Sequence, residues 1–348
     1  MSTGVSKSQY ASELRPGTVV STVLLCTDVR ARQTKSGSWF ADVRLADRTG
    51  EISMKLWNYN QQALSSLAPG VFVRLRNLTV TEYNGNLQLS VDSQQYGGAF
   101  AICDPEECDL SDFVPSTSRD VNGMASELLE TIASVRQQPV KCLLDSFFGD
   151  VEFMGRFREW PAAVKHHHAY SGGLLEHTLC VLRVCRCAAG QYEFVNWDML
   201  AAGALLHDVG KMRSYDYERS RGAASMSPAG VMTDHIVLGV EMVSKRIAEL
   251  VTSCPRKQSC ASGCWTQQMA LEITHMIVSH HGTLEWGSPV QPATIEACIL
   301  HHADNMDAQV NKFERTIRDS IAAGGGQYRY SEHVGKMVWV PASQTEEQ

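Results

Sequence analysis

The chain has 348 residues, 44% of them hydrophobic and 20% charged, with a formal net charge of −7. Those proportions exclude wholesale disorder, collagen and coiled coil, and the length suits two ordinary domains. The longest apolar run, Met199–Leu206, falls far short of the ~20 residues that span a bilayer, and the N-terminus has no apolar stretch of the secretory kind. A cytoplasmic protein with no membrane partner is expected, its 11 cysteines kept as thiols or metal ligands rather than disulfides. The charge is uneven: residues 1–98 carry 10 basic and 7 acidic residues, the remainder 21 and 31. A mildly basic N-terminal module on an acidic body suits a polyanion grip beside a metal-binding chamber.

From Gly17 to about Asp92 the pattern is one of short strands. Thr18–Val29 is rich in Val, Leu and Thr, and Lys35-Ser36-Gly37 reads as a hairpin turn. Trp39–Leu45 then places Ala41, Val43 and Leu45 on one face. Asp47-Arg48-Thr49-Gly50 turns into Glu51–Trp57, where Ile52, Met54 and Leu56 share a face. A short helix around Gln61–Leu67 stops at Pro69-Gly70, and strands Val71–Val80 and Leu87–Val91 follow, joined across Asn84-Gly85. Five strands with a helix between the third and fourth is the order of an OB-fold barrel. The stretch SWFADVRLADRTGEISMKLW is similar to the strand-turn-strand signature of nucleic-acid-binding OB modules. Phe40, Arg44, Lys55 and Trp57 lie opposite the apolar faces, and flat rings flanked by cations suit base stacking with phosphate attraction.

Residues 97–119 read as a connector, and helical patterns follow from Asp120 through Val135, over Val140–Phe148 and over Val151–Trp160. Residues 166–304 then hold eleven of the twelve histidines. His166-His167-His168 precede a loop that opens a helix carrying His177; His207-Asp208 end the apolar helix Met199–Leu206; His235 lies near a helix start; His280-His281 end the helix from Thr266; Asp304 sits in the helix Thr294–Ile321. A lone histidine on an apolar helix is ordinarily a satisfied core residue, but four helices delivering His or Asp make that account expensive. Imidazole with carboxylate suits transition metals, and an adjacent His-Asp pair lets the carboxylate reach a second ion, which implies a binuclear centre.

GGLLEHT, GALLHDVGK, DHIVLGVEM, SHHGTLEWGSP and HHADNMDA resemble the successive motifs of the HD-domain metallohydrolases, and their wording is closest to the YhaM-type 3′-to-5′ exoribonucleases. That family also places an OB-fold before its HD domain. The resemblance implies one metal on His177, His207, Asp208 and Asp304, and a second that shares Asp208 and uses His235, His280 and His281. It makes His207, Asp208 and Lys211 the catalytic group, with Lys211 holding a substrate phosphate, and sets His167 and His168 near the substrate. Asp307, three residues after Asp304, competes for the same role by helix spacing, and the motif match favours Asp304. The resemblance further implies Mn²⁺, with Co²⁺, Mg²⁺ or Fe²⁺ as alternatives, cleavage of single-stranded RNA to nucleoside 5′-monophosphates with single-stranded DNA left open, and self-association.

The fold expected is a five-stranded OB barrel over residues 1–98, a connector and helical lead-in over 99–160, an all-α HD domain over 161–325 and a tail over 326–348. One segment departs from the family pattern: Cys254, Cys260 and Cys264 could form three corners of a structural zinc site, against the plainer reading of a variable loop with free thiols. Cys180, Cys185 and Cys187 read as packing residues. Two competing functions stay open: a phosphohydrolase of nucleotides or cyclic dinucleotides, and, because HHHAYSGGLLEHTL also resembles HD-type conjugative relaxases, a nucleic-acid-binding accessory of DNA transfer.

Overall fold

The computed structural model describes residues 7, 9–33, 39–59, 64–83, 86–92, 95–109, 112–114, 116–164, 168–218, 223–253, 265–322 and 326–341. The chain folds into two compact units, Met1–Ser116 together with Glu218–Ala223, and Thr117–Tyr217 together with Ala224–Gln348.

In the first unit the strands are β1 (Val19–Val20), β2 (Val23–Gln33), β3 (Trp39–Asp47), β4 (Gly50–Trp57), β5 (Phe72–Leu75), β6 (Leu78–Thr79), β7 (Thr81–Tyr83), β8 (Asn86–Asp92) and β9 (Phe100–Cys103). The main sheet runs β7-β8-β4-β3-β2-β5-β9, and β1 pairs with β6. β4 and β8 are parallel while β2 pairs antiparallel with both β3 and β5, the connectivity of an OB barrel. Strict alternation makes this barrel: Ala41, Val43, Leu45, Ile52, Met54 and Leu56 all point into its core, as the sequence pattern requires. The turn at Asp47 is an Asx-turn, in which its carboxylate accepts from the Thr49 amide at 2.8 Å and the Thr49 hydroxyl at 2.6 Å.

Two strand expectations change. The run Val71–Val80 is broken between β5 and β6, because Asn77 takes a left-handed φ of 49° and its amide donates to Ser21 Oγ at 3.0 Å. Within the stretch read as connector, Phe100–Cys103 forms a strand on the edge of β5. The turns Lys35-Ser36-Gly37 and Asn84-Gly85 lie outside the described residues, as do 61–63 of the short helix, of which Leu64 and Ser65 are seen.

The second unit is built from α1 (Val121–Ser134), α2 (Gln138–Phe148), α3 (Val151–Phe157), α4 (Gly173–Ala189), α5 (Trp197–Leu206), α6 (Pro228–Ser253), α7 (Gln267–Ser279) and α8 (Ile295–Ala322). Asp120, Asp150, Asn196 and Thr266 cap α1, α3, α5 and α7 through their side-chain oxygens. Every residue of α5 from Asp198 to Leu206 is buried, which makes α5 the axis of the apolar core. Asp198 is tolerated there because it accepts from the Arg136 and Gln137 amides at 2.9 and 2.7 Å. On α4, Cys185 packs in the core and Cys180 is half-buried, but Cys187 is exposed and does not pack. Two short antiparallel strands, Tyr328–Ser331 and Lys336–Trp339, follow α8.

Candidate metal centre and nucleic-acid face

Four helices deliver the histidines, and a shared local device aims them. His207 and His280 sit at the C-terminal ends of α5 and α7, where each ring Nδ1 meets the carbonyl three residues back, Ala204 O at 2.9 Å and Ile277 O at 2.7 Å. These are helix-end carbonyls that lack intrahelical donors, so one contact ends the helix and fixes the tautomer. His281 Nδ1 meets Trp286 O at 2.6 Å, His177 Nδ1 meets Asp307 Oδ2 at 2.7 Å, and His235 Nδ1 contacts Asp234 Oδ1. Asp234 interrupts α6 with φ 62° and ψ 163°, a backbone state that L-residues avoid, and the kink falls directly before His235. In all five rings Nδ1 meets an oxygen and Nε2 is turned to the site, the arrangement of metal-ligating histidines.

The Nε2 atoms converge on Asp208. His177 Nε2 lies 3.2 Å from Asp208 Oδ2, 3.2 Å from Asp304 Oδ1 and 3.2 Å from His207 Nε2. Four donors at such separations are spaced as ligands ~2.0–2.2 Å from one ion would be. On the other carboxylate oxygen, Asp208 Oδ1, His235 Nε2 and His280 Nε2 approach to 3.5 and 3.7 Å. Those three atoms are buried and have no hydrogen-bond partner. Buried polar atoms are left bare only where something else satisfies them, and three acceptors facing one another fit a cation. His235, His280 and His281 form one group able to hold a metal, and His177, His207 and Asp208 another.

The rings differ in their electrostatics. Burial alone would lower His177, but hydrogen bonds to Asp208, Asp304 and Asp307 hold it well above the ordinary imidazole range. Burial drives His280 well below that range, so it stays neutral and ready to ligate. Lys211 is no surface lysine: it is 6% exposed and its Nζ lies 2.6 Å from Asp208 Oδ2. Gly210 permits this, since a Cβ there would meet His235 O at 1.9 Å and Gly239 N at 2.5 Å.

The structure thus brings together His177, His207, Asp208, Lys211, His235, His280, His281 and Asp304. His168 is buried behind His177, with Nε2 2.9 Å from Asp307 Oδ2 and Nδ1 2.7 Å from the Tyr170 hydroxyl. Sequence reasoning weighed Asp307 only as a rival to Asp304; the structure gives the two carboxylates opposite nitrogens of one ring. Their i,i+3 spacing on α8 was the available signal. His167, Cys254, Cys260 and Cys264 lie outside the described residues.

On the first unit, Phe40 and Trp57 are cross-strand partners with ring centroids 5.0 Å apart, and Lys55 Nζ sits 5.6 Å above the Phe40 ring. The four expected residues share the outward face, but the two expected cations are compensated. Lys55 pairs with Asp42 at 2.7 Å and Arg44 with Glu51 at 2.9 Å. Burial would raise Asp42, yet hydrogen bonds from Lys55 and Ser53 keep it below the usual carboxylate range.

Comparison with known proteins places these features among relatives. Residues 174–309 match the HD domain family. The chain is similar to a protein named 3′-5′ exoribonuclease YhaM from Geobacillus sp. (strain WCH70), 29% identical over 301 residues that cover 86% of each chain. It is also similar to the protein of that name from Bacillus subtilis (strain 168), 29% identical over 282 residues, 81% of this chain and 82% of the relative. Among solved structures, the second OB-fold domain of replication protein A from Methanococcus maripaludis aligns with 28% of this chain and 94% of its own, at 21% identity and a TM-score of 0.21.

Proposed function

We propose that this chain, which joins an OB barrel to an HD domain and is similar along most of its length to 3′-5′ exoribonucleases, is a metal-dependent exoribonuclease that releases nucleoside 5′-monophosphates from the 3′ end of single-stranded RNA. The observation that carries the reading is the convergence of Asp208 Oδ1, His235 Nε2 and His280 Nε2, buried and otherwise unpartnered. In this reading His177, His207, Asp208 and Asp304 hold one divalent ion, while Asp208, His235, His280 and His281 hold a second. Mn²⁺ is the first candidate for both, ahead of Co²⁺, Mg²⁺ and Fe²⁺. When bound, such ions would supply hydroxide from water at neutral pH and neutralise charge on the oxygens of a phosphodiester.

The protein's own groups do the rest. Asp208 presents one oxygen to each ligand group and its charge is matched by Lys211, whose ammonium would serve a substrate phosphate oxygen. Phosphoryl chemistry asks for such charge neutralisation more than for a covalent nucleophile. Residues 161–325 carry this chemistry, and residues 1–98 bind the strand through Phe40 and Trp57, with Arg44 and Lys55 beside them.

The test is a time course with 5′-labelled single-stranded RNA and Mn²⁺, run beside Asp208→Ala. A ladder that shortens from the 3′ end with the wild type, and intact RNA with the variant, is expected. RNA left intact by wild-type protein that still hydrolyses nucleotides or cyclic dinucleotides would replace this reading with that of a small-molecule phosphohydrolase.

A further inference from the structure

The metal-facing atoms account for one side of His177; the other side has a construction of its own. Asp307 Oδ2 lies 2.7 Å from His177 Nδ1 and 2.9 Å from His168 Nε2, so one carboxylate oxygen accepts from two rings. His168 is buried and takes a left-handed φ of 52°. Its Nδ1 meets the Tyr170 hydroxyl at 2.7 Å; that hydroxyl donates to Glu176 Oε2 at 3.0 Å, and the other Glu176 oxygen pairs with Arg119 Nε at 3.0 Å. Asn311 Nδ2 approaches His168 Nε2 at 3.4 Å from the next turn of α8.

Asp307 cannot act as Asp304 does. Asp304 meets His177 at Nε2, on the side of Asp208 and His207, whereas Asp307 meets it at Nδ1, on the opposite edge of the ring. A ligating histidine needs its second nitrogen held by an acceptor that fixes the tautomer and raises the basicity of the first. The other ligand histidines at helix ends use neutral backbone carbonyls for this, Ala204 O and Ile277 O. His177, like His235, uses a carboxylate instead, and that of His177 is clamped by a second buried imidazole.

Resting on the two-metal reading above, we infer that Asp307 is a positioning residue that holds His177 in its ligating tautomer and rotamer, and that His168 is the clamp that holds Asp307. Residues Tyr170, Glu176 and Arg119 complete the chain that orders the clamp. The strained backbone of His168 fits this role, since such a state persists only where surrounding contacts over-determine it.

The experiment compares full-length wild type with Asp307→Ala, Asp307→Asn and His168→Gln. Metal-free protein is titrated with Mn²⁺ by calorimetry and with Co²⁺ by visible absorption, and thermal unfolding is followed in EDTA. Asp307→Ala should lose ~10–100-fold in metal affinity and shift the Co²⁺ spectrum, with little change in melting temperature in EDTA. Asp307→Asn, which keeps an acceptor and loses the charge, should recover part of that loss, and His168→Gln should fall on the same side. In RNA cleavage, kcat at limiting Mn²⁺ should drop and return with excess Mn²⁺ while KM for RNA stays constant.

Metal affinity of Asp307→Ala within twofold of wild type would overturn the inference. So would equal losses in the Ala and Asn variants that track a falling melting temperature. Wild type that binds metal yet leaves RNA intact would overturn the exoribonuclease reading while the affinity comparison still decides on Asp307. Wild type that binds no metal would overturn both.

Discussion

Lys211 and Asp208 form a buried ion pair whose worth depends on what else sits in the pocket. Burial would depress Lys211, but the charge of Asp208 raises it above the usual lysine range, and the same partnership keeps Asp208 well below the usual carboxylate range. Removing one partner of such a pair costs ~3–5 kcal/mol, because the remaining charge is stranded in low dielectric. Lys211→Met should therefore lower the melting temperature in EDTA by ~6–20 °C for a folding unit of ~150–250 residues. Mn²⁺ should close much of the gap by supplying cations to Asp208. The sign of the pH dependence follows from the two directions. The raised lysine contributes below its unfolded pKa of ~10.4, the depressed carboxylate contributes above its unfolded pKa of ~3.9, and the deficit in EDTA should be level from about pH 5 to 9. A deficit of the same size with and without Mn²⁺ would sink the account. Most of this site was legible in the sequence, because His-Asp at a helix end and His-His at another are chemically unusual on apolar segments. The division of labour between Asp304 and Asp307 was not legible, since helix spacing puts both on one face and only tertiary packing decides which ring nitrogen each meets. Spacing alone does not say which cation of Gly210-Lys211-Met212-Arg213 turns inward; the motif resemblance singles out Lys211.

At the scale of elements, β3 and β4 show how register turns an expected basic face into a compensated one. The pairing sets Asp42 opposite Lys55 and Arg44 opposite Ser53, one step from Glu51, so each cation finds an acid on its own sheet. Phe40 and Trp57 stand in direct cross-strand register, and stacking is the stronger attraction left on this face. Phe40→Ala and Trp57→Ala should each weaken single-stranded RNA binding by ~1–3 kcal/mol, roughly 5–150-fold in Kd measured by fluorescence anisotropy. Arg44→Ala should change Kd little, because its charge is already shared with Glu51. Near-wild-type affinity in both aromatic variants would move the strand to another surface. The barrel itself was readable because alternation at period two leaves few other folds for Ala41-Val43-Leu45 and Ile52-Met54-Leu56. The corner at Asn77 and the added strand Phe100–Cys103 were not, since they depend on contacts with Ser21 and with β5, far off in sequence. Local propensity carries no trace of such partners.

For the whole molecule, a net charge of −7 sets a like-charged ligand against an acidic protein, and the distribution decides how that is managed. Residues 1–98 hold a surplus of three positive charges and the remainder a surplus of ten negative ones. Arg44 and Lys55 are committed to acids and should neutralise few phosphates, and in the two-metal reading the scissile phosphate is neutralised at the metal centre instead. For single strands, log K falls with log salt at about −0.7 per phosphate neutralised by side-chain cations. Two or so such contacts give a slope between about −1 and −2 in NaCl at fixed Mn²⁺. Glu51→Gln releases Arg44 and should steepen that slope by about 0.7 while tightening binding at low salt. A wild-type slope steeper than about −3.5 would mean five or more phosphates engaged by lysines and arginines, and strand binding would then be electrostatic in origin rather than built on the Phe40–Trp57 platform.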